Sequence, residues 1–141
     1  MSMTFKYKTI KRPDGTKSRT PSIPITLIGN SMKIDAVCLI DSGADVSAVP
    51  KDIAELLGLD LKSKVQQSFG IGGNVDSVES KMNLIVRKGH ETYNLEIPVK
   101  VILGKYDFPV LLGREKFFDE FIITFNQKQQ KVTLKKISEG Y

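Results

Sequence analysis

Apolar residues fall in short runs along this chain, separated by clusters of Gly, Pro, Asn, Asp and Ser. Such punctuation predicts many strands and turns rather than long helices. The alternation from Phe5 to Ile10, followed by Pro13-Asp14-Gly15, predicts an N-terminal hairpin. Ile25 to Ile28 reads as a strand and Gly29-Asn30-Ser31 as a turn. Met32 to Ile40 reads as a second strand, ending in the continuous apolar run Ala36-Val37-Cys38-Leu39-Ile40. Val65 to Phe69 and Val75 to Val78 flank the glycine-rich tip Gly70-Ile71-Gly72-Gly73-Asn74 and predict a further hairpin. Met82 to Arg87, Tyr93 to Val101 and Val101 to Leu103 are expected strands, divided by Lys88-Gly89-His90 and closed by a loop around Lys105-Tyr106-Asp107. Val110 to Gly113 is a buried strand end, and Phe121 to Phe125 with Lys131 to Lys135 forms a last hairpin around Asn126-Gln127-Lys128. The period changes in two places. Pro50 to Leu57 places Ile53, Leu56 and Leu57 on one helical face before Gly58, and Arg114 to Asp119 suits a second short helix.

Composition agrees with a mostly β domain. The chain has 141 residues with 11 Gly and 6 Pro, enough for one domain with its own core. Its single cysteine, Cys38, excludes an intrachain disulfide, and its apolar neighbours make it a small core residue rather than a nucleophile. No apolar run approaches the roughly 20 residues that span a bilayer, and the N-terminus lacks a signal-like apolar stretch. The expectation is a cytoplasmic protein with no membrane association. Charge is unevenly placed. Lys6, Lys8, Lys11, Arg12, Lys17 and Arg19 face only Asp14 within residues 1–20, whereas the other 121 residues carry 15 basic and 15 acidic groups. Residues 1–20 therefore read as a basic arm or hairpin and 21–141 as the domain. A neutral domain gives no reason to expect a nucleic-acid partner. His90, in a turn among charged neighbours, reads as a surface residue.

The chemistry is concentrated at Asp41-Ser42-Gly43-Ala44. As a tripeptide, Asp-Ser-Gly marks little more than a turn. Here it directly follows the buried run Val37 to Ile40, and Val46, Ala48 and Val49 come after it. A carboxylate delivered by a buried strand loses hydration and must be held by hydrogen bonds or share a proton. Ser42 supplies a hydroxyl, Gly43 permits a tight turn, and Ala44 is too small to block a pocket. Asp45 is a second acid just outside.

In the context of these residues, Leu39-Ile40-Asp41-Ser42-Gly43-Ala44-Asp45 resembles the catalytic loop of the retropepsins, the single-lobe aspartic proteases of retroviruses and their cellular and prokaryotic relatives. Phe69-Gly70-Ile71-Gly72-Gly73-Asn74 resembles the family's flap, and Val110-Leu111-Leu112-Gly113-Arg114 its apolar-apolar-Gly motif. The resemblance spans about 80 residues, Ile34 to Phe118. It implies a closed, mostly antiparallel β barrel with two short helices, in which Leu111-Leu112-Gly113 packs beside the Asp41 loop. The helix at Pro50 and the final hairpin look more like cellular or prokaryotic members than compact viral ones.

By the same resemblance, Asp41 is the catalytic residue and Ser42 hydrogen-bonds across a twofold axis. Gly70, Ile71, Gly72 and Gly73 close over substrate, and Asp45 pairs with Arg114 to brace the site. Only one Asp-Ser-Gly segment is present, so one chain cannot supply two catalytic carboxylates. The implied enzyme is a homodimer acting on an extended polypeptide, with no metal or organic cofactor. A catalytically silent dimerisation or peptide-binding module of the same fold is the alternative.

Overall fold

A computed structural model describes residues 2–12, 14–70 and 73–138. In chain order the strands are β1 (Ser2–Lys6), β2 (Lys8–Lys11), β3 (Lys17–Thr20), β4 (Ser22–Ile28), β5 (Lys33–Ile40) and β6 (Ser47–Pro50), after which comes helix α1 (Lys51–Leu57). They continue as β7 (Gln66–Gly70), β8 (Gly73–Lys88), β9 (Glu91–Ile102) and β10 (Leu111–Leu112). A helical turn at Arg114–Phe118 precedes β11 (Phe121–Asn126) and β12 (Lys131–Lys136).

Strand alternation builds the core. Along β8, Met82, Leu84 and Val86 point inward, and along β9, Leu95, Ile97, Val99 and Val101 do the same. Each such side chain contributes roughly 1.5–3 kcal/mol on burial. The two strands pair along Ser77–Lys88 and Glu91–Ile102. A sheet of this length twists, and the twist brings β8 back to β4 through Thr26↔Ile85, Leu27↔Leu84 and Ile28↔Asn83. The strands β4-β5-β10-β6-β9-β8 thereby form a hydrogen-bonded ring, with β7 attached to β8. The expected mostly β, closed architecture with two short helical segments is present. Four of the ring's pairings are antiparallel; β10 with β5 and β6 with β9 are parallel.

Several expected boundaries differ. The separate strands expected at Val75–Val78 and Met82–Arg87 are one strand, because Glu79, Ser80 and Lys81 interrupt the apolar pattern while their backbones stay paired with Lys100, Val99 and Pro98. Val101–Leu103 is likewise the end of β9 rather than a strand of its own. Helix α1 ends at Gly58, whose φ of 74° favours glycine. It buries Ala54 and Leu57, whereas Leu56, expected on the inner face, is 56% exposed. The second helix is a single irregular turn, with Glu115 extended and Lys116 at φ 71°.

Residues 1–20, expected as an arm or hairpin outside the domain, divide in two. Lys8–Thr20 is a hairpin, β2 with β3. Residues 2–6 instead pair with β12 in a three-stranded sheet of order β1-β12-β11, and bury Met3 and Phe5 completely or nearly so. The apolar pair Met3 and Phe5 alternates with exposed residues, and that period-2 signal outweighs the surrounding charge. Phe121 joins this sheet to the ring, with its centroid 5.7 Å from Tyr93 in an edge-on arrangement and 5.4 Å from Phe117.

Two outcomes follow from this packing. Met3→Ala is expected to cost about 2–5 kcal/mol in urea denaturation; a free arm would show no change. At the other end of the small sheet, Glu120 contacts Lys136 at 2.9 Å and Lys116 at 3.0 Å. Hydrogen bonds from Lys136 and then Lys116 hold its carboxyl below the ordinary glutamate value. A carboxylate lowered by folding adds stability above its unfolded titration range and loses it as pH falls through the folded value. Glu120→Gln should therefore lower the Tm at neutral pH, with the gap to wild type closing on acidification. Thermal melts of both proteins across pH check this, and a pH-independent gap contradicts it.

Candidate active site

Strand β5 carries the chain from a solvated start at Lys33 to a buried end at Cys38 and Ile40, then releases it at Asp41. The end of the strand is held on both sides. Ile40 N–H donates to Pro21 O at 3.0 Å, and Leu39 N–H donates to Val110 O at 2.9 Å. Asp41 N–H continues the second ladder to Leu112 O at 2.9 Å. The parallel pairing Leu111↔Leu39 and Leu112↔Ile40 thus places the apolar-apolar-Gly segment beside the Asp41 loop.

The loop then turns on its own carboxylate. Gly43 N–H donates to Asp41 Oδ1 at 2.9 Å, and Ala44 N–H donates to Asp41 O at 3.2 Å. A side chain at position 43 would put its Cβ 3.3 Å from the same Oδ1. Gly43 does not adopt positive φ, so glycine serves here by leaving space at the carboxylate rather than by conformational freedom. Asp41 is half-buried, Ser42 and Gly43 are exposed, and Ala44 is half-buried.

Arg114 reaches this loop, though not through the acid expected to pair with it. Its Nη1 donates to Ser42 O at 2.7 Å, its backbone N–H donates to Ala44 O at 2.9 Å, and Glu115 N–H donates to Asp45 O at 2.8 Å. The Asp45 carboxylate accepts from Val46 N–H at 2.9 Å. Among the described residues both ion pairs involve Glu120, so within one chain Arg114 holds the loop by its carbonyls and not by the Asp45 side chain. Carbonyls at the end of a loop and a guanidinium with several donors make this a natural arrangement.

One contributor escaped the sequence reading. Ser47 is fully buried, and its Oγ accepts from Gly113 N–H at 2.9 Å. The signal was a lone hydroxyl inside the apolar run Val46–Val49, where a polar side chain needs a partner. Gly113 itself has no room for a side chain. A Cβ there would lie 2.6 Å from the Val46 carbonyl carbon and 2.9 Å from Ser47 N.

The hairpin expected to act as the flap is β7 with β8, whose last described pair is Gly70↔Gly73. Gly73 has a φ of 107°, a conformation that favours glycine. Ser68 and Ser77 hydroxyls meet at 2.7 Å below the tip. Ile71 and Gly72, expected at the tip, lie outside the described residues. His90 is exposed, and burial pushes the Cys38 thiol up to about 12, which leaves it un-ionised at neutral pH. A cleft of about 570 Å³ touches the loop region only at Val46 and Glu115 and does not include Asp41.

Ser47→Ala leaves the buried Gly113 N–H without its acceptor and is expected to cost about 1–3 kcal/mol. Gly113→Ala forces two backbones apart and should cost at least that much. Denaturant unfolding of both variants measures these losses; unchanged stability in either would contradict the packing described.

No family model and no curated protein sequence matches the chain. Among solved structures, it is similar to a retropepsin-like aspartic protease from Rickettsia conorii, with a TM-score of 0.55 and 20% identity over 95% of this chain and 91% of that one. Weaker likenesses are to the EIAV protease complexed with the inhibitor HBY-793 and to the retroviral protease-like domain of Ddi1 from Leishmania major. The first has a TM-score of 0.45 with 21% identity over 72% of this chain and 88% of that one; the second has 0.48 with 12% identity over 86% and 98%. The ring of strands is accordingly that of a retropepsin-like aspartic protease fold.

Proposed function

We propose that this chain is half of a homodimeric aspartic endopeptidase, in which Asp41 from each of two copies forms the catalytic pair. The observation that carries this reading is a half-buried carboxylate held in a loop fixed by main-chain hydrogen bonds. Asp41 Oδ1 is fixed by Gly43 N–H, while the neighbouring Ser42 and Gly43 are exposed, as residues covered by a second copy would be in one chain alone.

A single carboxylate is a weak general base at neutral pH. Two of them a few ångströms apart cannot both ionise, so they share a proton and divide the labour. The ionised one takes a proton from a water held between them, and the protonated one donates to the oxygen of the scissile carbonyl. Attack of the water oxygen on the carbonyl carbon gives a tetrahedral species, and proton transfer to the leaving nitrogen completes C–N cleavage. The flap residues Gly70 to Gly73 lie over an extended polypeptide and add backbone hydrogen bonds, as in strand addition. Ser42 joins the two loops across the axis, and Asp45 and Arg114 brace the same region.

Cleavage of a denatured protein or peptide library across pH tests the reading. Wild type should cleave, with activity per chain rising with protein concentration through the dimer dissociation constant. Asp41→Asn should lose at least about 10³-fold in rate, in line with removing a group that acts as part of a unit, while keeping its Tm and its dimerisation. Equal cleavage by both proteins would sink the catalytic assignment. Dimerisation without cleavage by wild type would favour a silent binding module of the same fold.

A further inference from the structure

The three sheets meet at a second cleft, of about 380 Å³, to which Lys6, Lys8, Arg87, Lys88 and Lys131 contribute. These five cations come from β1, β2, β8 and β12, and all are exposed. No acidic residue among those described lines the cleft. Among the described residues, none of the five takes part in an ion pair, since both pairs involve Glu120. The acid opposite Lys88 in register, Glu91, is engaged by the Tyr93 hydroxyl at 2.7 Å. Lys88 Nζ instead sits 5.3 Å from the centroid of the buried Phe5 ring.

The register makes this crowding specific. Lys6 and Lys131 stand directly opposite each other in the β1–β12 ladder. Like charges facing each other across strands destabilise a sheet. A bound anion would relieve that repulsion. Four lysines and one arginine suit a tetrahedral oxyanion better than a single planar carboxylate, for which one arginine fork suffices. A phosphate brings nearly two negative charges and three acceptors to one point. The five cations are gathered into one hollow rather than strung along a track. The aromatic residues beside them, Phe5 and Tyr7, are buried and give no stacking platform for nucleic-acid bases.

We propose that this cleft binds clustered phosphate groups, carried either by a soluble polyphosphate or by a multiply phosphorylated lipid headgroup. The site is separate from the Asp41 loop and does not depend on the protease reading.

Calorimetric titration with inorganic tripolyphosphate at constant ionic strength tests it. Wild type should bind saturably. Lys6→Gln with Lys131→Gln should weaken binding by about tenfold or more, and Arg87→Gln alone should also weaken it. The control is Lys11→Gln with Lys17→Gln, an equally opposed lysine pair in the β2–β3 hairpin outside the cleft; it should bind within about twofold of wild type. Without phosphate, the first double variant should melt no lower than wild type, because a repulsion has been removed. No saturable heat with wild type would overturn the proposal. So would equal weakening in the two double variants, which would mean diffuse attraction only. Co-sedimentation with phosphatidylcholine vesicles carrying a bisphosphorylated inositol lipid, reversed by tripolyphosphate, supports the headgroup source. Tripolyphosphate binding without co-sedimentation supports the soluble one.

Discussion

The hydrogen bond from Asp41 N–H to Leu112 O is the contact on which the rest of the site depends. It extends a short parallel pairing between two strands far apart in sequence, β5 and β10. Parallel neighbours cannot be joined by a tight turn, so the intervening chain must travel out and return. It does so as β6, α1, β7, β8 and β9, and the return closes the ring. The β10 strand is only two residues long, and its attachment is completed by Ser47 under Gly113 and by Arg114 and Glu115 over the loop. A brief pairing is enough to set the carboxylate because the main-chain groups of Asp41, Ala44 and Asp45 around it are hydrogen-bonded as well.

The same contacts explain the division between hydrogen-bonded and exposed parts. Main-chain bonds fix the positions of Asp41, Ala44 and Asp45, whereas the faces of Ser42, Gly43 and Arg114 remain exposed. The loop is thus held by its main chain and open on its outer face, which is what the proposed pairing of two copies requires. Charge is organised in a comparable manner in the β1–β12 ladder, where Lys6 and Lys131 are forced together by register.

Much of this was legible in the sequence because local period and turn chemistry agreed with the fold. The apolar run into Asp41, the helix stop at Gly58 and the last hairpin are local signals, and the structure has each of them. What was not legible depends on which distant strands pair. Glu79-Ser80-Lys81 interrupts the apolar pattern of β8 without interrupting its ladder, and Met3 and Phe5 sit in a charged segment yet belong to the core. Ser47 acquires its partner only when the fold brings Gly113 against it, and Arg114 could be placed near the loop but not on its carbonyls. The cationic cleft escaped a reading of charge along the chain because its members are separated by most of the chain's length. Register, not composition, assembles them.

The central claim is that two copies share one catalytic site, and subunit mixing tests it most directly. Adding Asp41→Asn chains to a fixed amount of wild type, above the dimer dissociation constant, converts active dimers into mixed dimers with a single carboxylate. At equal amounts only about a quarter of the dimers are wild type on both sides. The account predicts that cleavage falls to about half of the value without the variant, since half of the wild-type chains are then in mixed dimers. Cleavage that stays constant as the variant is added would contradict it, because each wild-type chain would then act alone.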